Sequence, residues 1–211
     1  MSDRLPPMRL LLVHGLGRTP LSMVGLSRHL RRHGYPCRLF GYQAAFRSFA
    51  GIVARLRRRL ESLAGGGAPY GVIGHSMGGL LLRAALPGLP LPRHFIMLGV
   101  PNRPPRLARR VRRIWLYRLV NGDPGQRLAD PGFYAELPPP PPYTIITGTA
   151  GPRGRWSPFG DFPNDGLVAV DETLVRDHDR PILLPVGHTF MMARRSVRAA
   201  VVEALGRPEG T

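Results

Sequence analysis

Short apolar runs alternate along this chain with longer stretches in which apolar residues recur every three or four positions. "MRLLLVHG" (8–15) reads as a buried strand, residues 20–33 as a helix and "PCRLFGY" (36–42) as a second strand. In "FRSFAGIVARLRRRLESL" (46–63), Phe46, Phe49, Ile52, Val53, Leu56, Leu60 and Leu63 form one stripe of an amphipathic helix. Arg55, Arg58 and Arg59 fall on its other face, toward water. "GGGAP" (65–69) is a connector, "YGVIGHS" (70–76) a strand and "MGGLLLRAAL" (77–86) a helix. Three more strands are predicted at 94–101, 143–149 and 181–186, and a closing helix at 189–205. This alternation predicts an α/β fold, a mostly parallel central sheet with helices on both faces. One interruption, residues 102–142, separates two strands and ends in five prolines, 138–142, expected to run as a stiff polyproline II segment.

Composition bounds this picture. A chain of 211 residues, 43% hydrophobic, suits one α/β domain with a full core and a small insertion. Cys37 is the sole cysteine, which excludes an internal disulfide framework and paired-cysteine metal sites. The first apolar run leads into a glycine turn and not into a small-residue cleavage site, and no apolar stretch is long enough to span a bilayer. A soluble, cytoplasmic protein is the expectation. The formal charge of +17 would suit a polyanion, but all 30 basic residues are arginine, a bias of the kind GC-rich coding produces. No nucleic-acid-binding pattern accompanies the charge, so a generally basic surface is expected and no specific nucleic-acid partner.

The chemistry centres on "GHSMGG" (74–79), which fits G-x-S-x-G. A serine at that spacing sits on a sharp strand-to-helix turn, and the glycines keep side chains out of the close approach of strand and helix. The first N–H groups of the following helix point at the serine oxygen. An apolar strand before and a helix-period segment after give the motif its required context. Here the sequence resembles the α/β-hydrolase fold, and within it the small bacterial lipases and esterases.

That resemblance implies the remaining parts. "LLLVHGLGRTP" (10–20) matches the loop that supplies one oxyanion donor, the backbone N–H of Leu16; Met77 N–H supplies the other. His14 is then a structural histidine that ties the loop down. The fold's chain order of serine, acid, histidine requires a base beyond the last strand. His188 in "VGHTF" directly follows that strand and opens the closing helix, whereas His178 in "RDHDR" precedes it among charges. Asp161, Asp165 and Asp171 follow the strand "YTIITGT". "PNDGLVAVDETLV" (163–175) resembles the acid-bearing segment of bacterial lipases, which assigns Asp165; Asp161 is the alternative, since loop 150–164 is irregular. The implied site is catalytic Ser76, Asp165 and His188, with no metal or organic cofactor.

"LGVPNRP" (98–104) and "PGQRLADPGFYAEL" (124–137) also look like lipase segments, but Asn102 stands where histidine is usual and Pro104 and Pro105 replace small residues. Within the insertion, "RLARRVRRIWLYRLV" (106–120) wheels into an apolar side (Leu107, Ala108, Val111, Ile114, Trp115, Leu119) and a basic side (Arg106, Arg109, Arg110, Arg113). Two readings stand: a cap helix packed on the body, or an interfacial helix on an anionic membrane surface. The expected activity is cleavage of a small-molecule acyl ester. A thioesterase or acyltransferase would use the same residues, and a non-catalytic ligand- or polyanion-binding protein would use the same scaffold.

Overall fold

The computed structural model describes residues 7–111 and 115–206, the side chains of 111 and 115–121 excepted. Six strands form one sheet: β1 (Arg9–Val13), β2 (Cys37–Phe40), β3 (Tyr70–His75), β4 (His94–Leu98), β5 (Tyr143–Gly148) and β6 (Ile182–Leu184). Their order across the sheet is β2-β1-β3-β4-β5-β6, and every pairing is parallel. The strands β1, β3 and β4 are almost wholly buried, as expected when both faces of a parallel sheet are covered.

Among the described residues, seven α-helices accompany the sheet: α1 (Leu21–Arg32), α2 (Phe49–Ala64), α3 (Met77–Ala85), α4 (Arg106–Val111), α5 (Trp115–Leu128), α6 (Pro131–Glu136) and α7 (Arg195–Leu205). On one face, Met23, Leu26 and Leu30 of α1 and Val197 and Val201 of α7 pack with Leu10, Leu12, Ile73 and Ile96. On the other, Ile52, Leu56 and Leu60 of α2 and Leu80 and Leu81 of α3 pack with Leu11, Val13, Val72 and Phe95. Successive strand residues thus feed opposite cores, the consequence of the two-residue strand period.

The strands predicted at 36–42, 94–101 and 181–186 are shorter, at Cys37–Phe40, His94–Leu98 and Ile182–Leu184, and two helices start later than the sequence reading places them. α2 begins at Phe49, because Ser48 is extended (φ −66°, ψ 153°) and its side chain accepts from Gly51 N, capping the helix there. Phe46 lies ahead of the cap in a 3-10 turn and is 83% exposed, so it is no part of the buried stripe. The closing helix begins at Arg195 and not at 189. A 3-10 turn (Met191–Ala193) and an extended Arg194 (φ −75°, ψ 138°) intervene, because the His188 backbone is bonded across to other loops. His188 therefore lies in a loop and does not open a helix.

The stretch read as one helix over 106–120 falls in α4 and α5, with 112–114 outside the described residues. The described part of its wheel is two-sided: Ala108 is buried, Leu107 is half-buried, and Arg109 and Arg110 are exposed. The side chains of Val111, Arg113, Ile114, Trp115 and Leu119 lie outside the described residues. α5 is bent in two at Gly122 (φ 54°, ψ −152°), where a Cβ would meet the Ala44 carbonyl oxygen at 2.4 Å.

Three ties fasten the segment 102–142. Arg106 pairs with Asp171 at 2.6 Å and with the buried Glu172 at 3.0 Å. Asp123 accepts the Phe49 N–H at 2.7 Å, satisfying an otherwise orphaned donor at the start of α2. Arg83 of α3, buried, donates to the carbonyl oxygens of Leu137 and Pro138 and to Asn102 Oδ1. Among the described residues, no helix is long and apolar enough to cross a membrane.

Candidate active site

Ser76 stands where β3 turns into α3. Its φ of 51° is the one positive value among the described non-glycine residues, and its ψ is −126°. A residue with a Cβ holds such a conformation only when its surroundings enforce it. Here a Cβ on Gly74 would lie 2.5 Å from Gly79 Cα, and one on Gly78 would lie 2.4 Å from the Val13 carbonyl oxygen. The Ser76 N–H is bonded to Leu98 O at 2.9 Å. The glycines of G-x-S-x-G-G therefore let α3 press against β3 and β1 and leave the serine on the corner.

Asp165 and His188 meet at the same sheet edge. His188 Nδ1 donates to Asp165 Oδ2 at 2.6 Å, with both side chains almost wholly buried. Asp165 Oδ1 accepts the N–H groups of Leu167 (3.0 Å) and Val168 (2.8 Å), and Asp165 O accepts the His188 N–H at 2.9 Å. The carboxylate accepts from all three donors, which fixes the orientation of the imidazole with its Nδ1 proton toward Asp165. Nε2 is left as the basic nitrogen.

The local sequence explains the turn. Asn164, fully buried, donates to Pro152 O at 2.9 Å and Phe162 O at 3.0 Å and accepts from Gly166 N at 2.9 Å. Gly166 adopts φ 99°, open to glycine, so "NDG" clamps the loop on one side of Asp165 and reverses it on the other. Gly99 (φ 54°) lies beneath the pair: a Cβ there would stand 3.1 Å from Asp165 Oδ2, His188 Nδ1 and Met191 Sδ.

The competing candidates lie elsewhere. Asp161 and His178 are exposed. Asp171 is committed to Arg106, whose guanidinium holds its carboxyl below the usual range. Leu16 lines the cavity over Ser76, and Met77 follows the serine; among the described residues neither backbone N–H has an acceptor within the chain. His14 is buried, stacked on Tyr42 at 4.3 Å and 4°. Its Nδ1 donates to Gly15 O at 2.9 Å and its Nε2 accepts from Tyr42 N at 3.3 Å, so both nitrogens serve the loop. Burial lowers its pKa and keeps it neutral.

Two residues of the site's support were not singled out for this role in the sequence. His75, the variable position of the motif, is buried and donates from Nε2 to the His188 carbonyl oxygen at 3.1 Å, its ring 4.9 Å from the His188 ring. Burial first, then the neighbouring His188, pushes its pKa well below the ordinary value. Asn102, the departure noted above, donates to Thr173 O at 2.7 Å and accepts from Arg83 at 3.0 Å, binding the turn after β4 to that after the acid loop. No sequence spacing signals either role, because both partners are remote in the chain.

Ser76, His75 and His188 open onto one cavity of about 570 Å³. Its described walls are otherwise mostly apolar: Leu16, Pro105, Leu107, Leu128, Leu167 and Val168 among them. Leu107 and Leu128 come from the 102–142 segment.

The chain matches no protein-family model and no curated protein. Solved structures do resemble it. Bacillus licheniformis lipase BlEst2 in mature form superposes with a TM-score of 0.72 at 18% identity, over 97% of this chain and 93% of that one. A metagenomic carboxyl esterase, MGS0156, gives 0.66 at 18% over 96% and 75%. The RedJ thioesterase of the prodiginine pathway in Streptomyces coelicolor gives 0.61 at 18% over 94% and 89%. The chain has the α/β-hydrolase fold.

Proposed function

We propose that this protein is a serine hydrolase of carboxylic esters, with Ser76 as nucleophile, His188 as general base and acid, and Asp165 as its orienting carboxylate. The observation that carries the reading is the 2.6 Å Asp165–His188 hydrogen bond, which leaves Nε2 free on a cavity shared with a serine at a strained corner. The free N–H groups of Leu16 and Met77 are suited to receive an oxyanion, each worth about 3 kcal/mol of barrier.

The chemistry runs in two halves. Ser76 Oγ attacks the acyl carbon while Nε2 takes its proton. The tetrahedral oxyanion collapses, the alcohol leaves with the proton from His188, and the acyl group stays on Ser76. Water then gives a proton to Nε2 and attacks the acyl carbon, and Ser76 recovers its proton as the acid departs. The segment 102–142 acts as a cap, its Leu107 and Leu128 supporting an apolar wall for the acyl chain. Thioesters present the same acyl carbon, and a thioesterase is among the proteins of similar fold.

A panel of p-nitrophenyl esters of graded chain length, with matched thioesters, tests this. Turnover by the wild type that Ser76→Ala abolishes is expected. Turnover that survives Ser76→Ala, or none on any member, contradicts the reading.

A further inference from the structure

Arg18 is the unexplained charge of the cavity. It sits in the "HGLGR" loop, two residues past Leu16, and lines the space that holds Ser76 and His188. Every other described lining residue is apolar, a glycine, a threonine or part of the catalytic proposal. Its backbone N–H donates to Gly15 O at 3.3 Å, but among the described residues the Arg18 side chain forms no ion pair and no hydrogen bond. Its guanidinium instead stacks over the Phe190 ring, 4.8 Å from the centroid. A half-buried arginine seated over an aromatic ring, with no partner for its side-chain N–H groups among the described residues, is arranged for an anion that comes from outside.

The position says which part of a substrate would carry that anion. In the proposed reaction His188 delivers its proton to the departing alcohol, so the leaving group lies beside His188. Phe190 is two residues beyond His188, and Thr189 between them also lines the cavity. Arg18, seated on Phe190, is therefore on the leaving-group side. Leu107 and Leu128, from the 102–142 segment, add no charge to the cavity wall and suit the acyl side. Arg18 is also near enough to the site that its charge is one of the groups lowering the pKa of His75.

We propose that Arg18 is a specificity residue that binds a negative charge on the alcohol or thiol portion of the substrate, so that the enzyme's substrates are apolar-acyl esters with an anionic leaving group. This rests on the ester-hydrolase reading above. Carboxylate and phosphate share the required chemistry, planar or tetrahedral oxygen pairs that a guanidinium fork can engage.

The test compares two esters of one acyl group, one of p-nitrophenol and one of a nitrophenol bearing a ring carboxylate. The wild type should favour the anionic ester in kcat/KM, chiefly through KM, by about fivefold at low salt and less at high salt. The ratio of the two kcat/KM values should fall about fivefold in Arg18→Gln, recover largely in Arg18→Lys, and invert in Arg18→Glu. A generally structural role would depress both esters together and leave the ratio unmoved. A wild type with no preference, or a ratio unchanged in Arg18→Gln, overturns the proposal while leaving the hydrolase reading intact. No turnover of either ester overturns both.

Discussion

His75 donates a hydrogen bond from its ring Nε2 to the backbone carbonyl oxygen of His188 at 3.1 Å. The residue before the candidate nucleophile thus holds the backbone of the candidate base, 113 positions away in the chain. The tie sets the distance between β3 and the loop after β6, which parallel pairing alone leaves free. His75→Leu should lower kcat about tenfold or more on a p-nitrophenyl ester, with little change in KM, because a shift of a fraction of an ångström at the reacting atoms is costly. Burial already keeps His75 neutral, so the pH dependence of kcat should keep its shape. A profile whose midpoint moves would mean that His75 itself titrates in the reaction.

The buried histidines make stability fall with acid. His14, His75 and His94 all have pKa values lowered by burial below the ordinary 6.5. As pH falls through 6.5, the unfolded chain takes up protons on these residues that the folded chain does not. The unfolded state is thereby favoured, and stability drops as pH falls below about 7. Urea midpoints at pH 7.5 and 5.5 should show the decline. A midpoint that holds level or rises on acidification contradicts it.

Arg106 fastens the start of the 102–142 segment. It satisfies Glu172, whose carboxyl is buried and whose pKa burial raises. Arg106→Ala would strand that carboxylate on two backbone N–H groups, at a cost of about 1–3 kcal/mol. Protease cleavage within 102–142 should accelerate in the variant. An unchanged urea midpoint and unchanged cleavage would show that the segment is held by its other ties.

Gly99 is required by space and by backbone alike. Ala at this position would need φ 54° and a Cβ 3.1 Å from both Asp165 Oδ2 and His188 Nδ1. Gly99→Ala should therefore both destabilise the fold, by about 1–2 kcal/mol from the backbone alone, and depress kcat by displacing the pair. Wild-type kcat in a folded Gly99→Ala protein would mean that the Asp165–His188 geometry is not limiting.

The sequence made much of this site legible because its parts are local. G-x-S-x-G carries its own turn, "NDG" its own loop clamp, and His188 lies just past an apolar run that forms the edge strand β6. Phe46 misled because its spacing fits the helix stripe, while Ser48, which caps the helix, carries no apolar signal. The start of the closing helix was hidden similarly: residues 189–194 have helical spacing, but the bonds of His188 to Asp165 and His75 hold the chain out of a helix. His75, Asn102 and Arg83 act through partners remote in sequence, so only the fold reveals them.

The most direct measurement is covalent labelling of the folded protein with a fluorophosphonate, read by peptide mass spectrometry. One equivalent should add to the peptide containing Ser76, and Ser76→Ala and His188→Ala should each leave the chain unlabelled. A wild type that stays unlabelled, or a label that persists in Ser76→Ala, would contradict a nucleophilic Ser76 activated by His188.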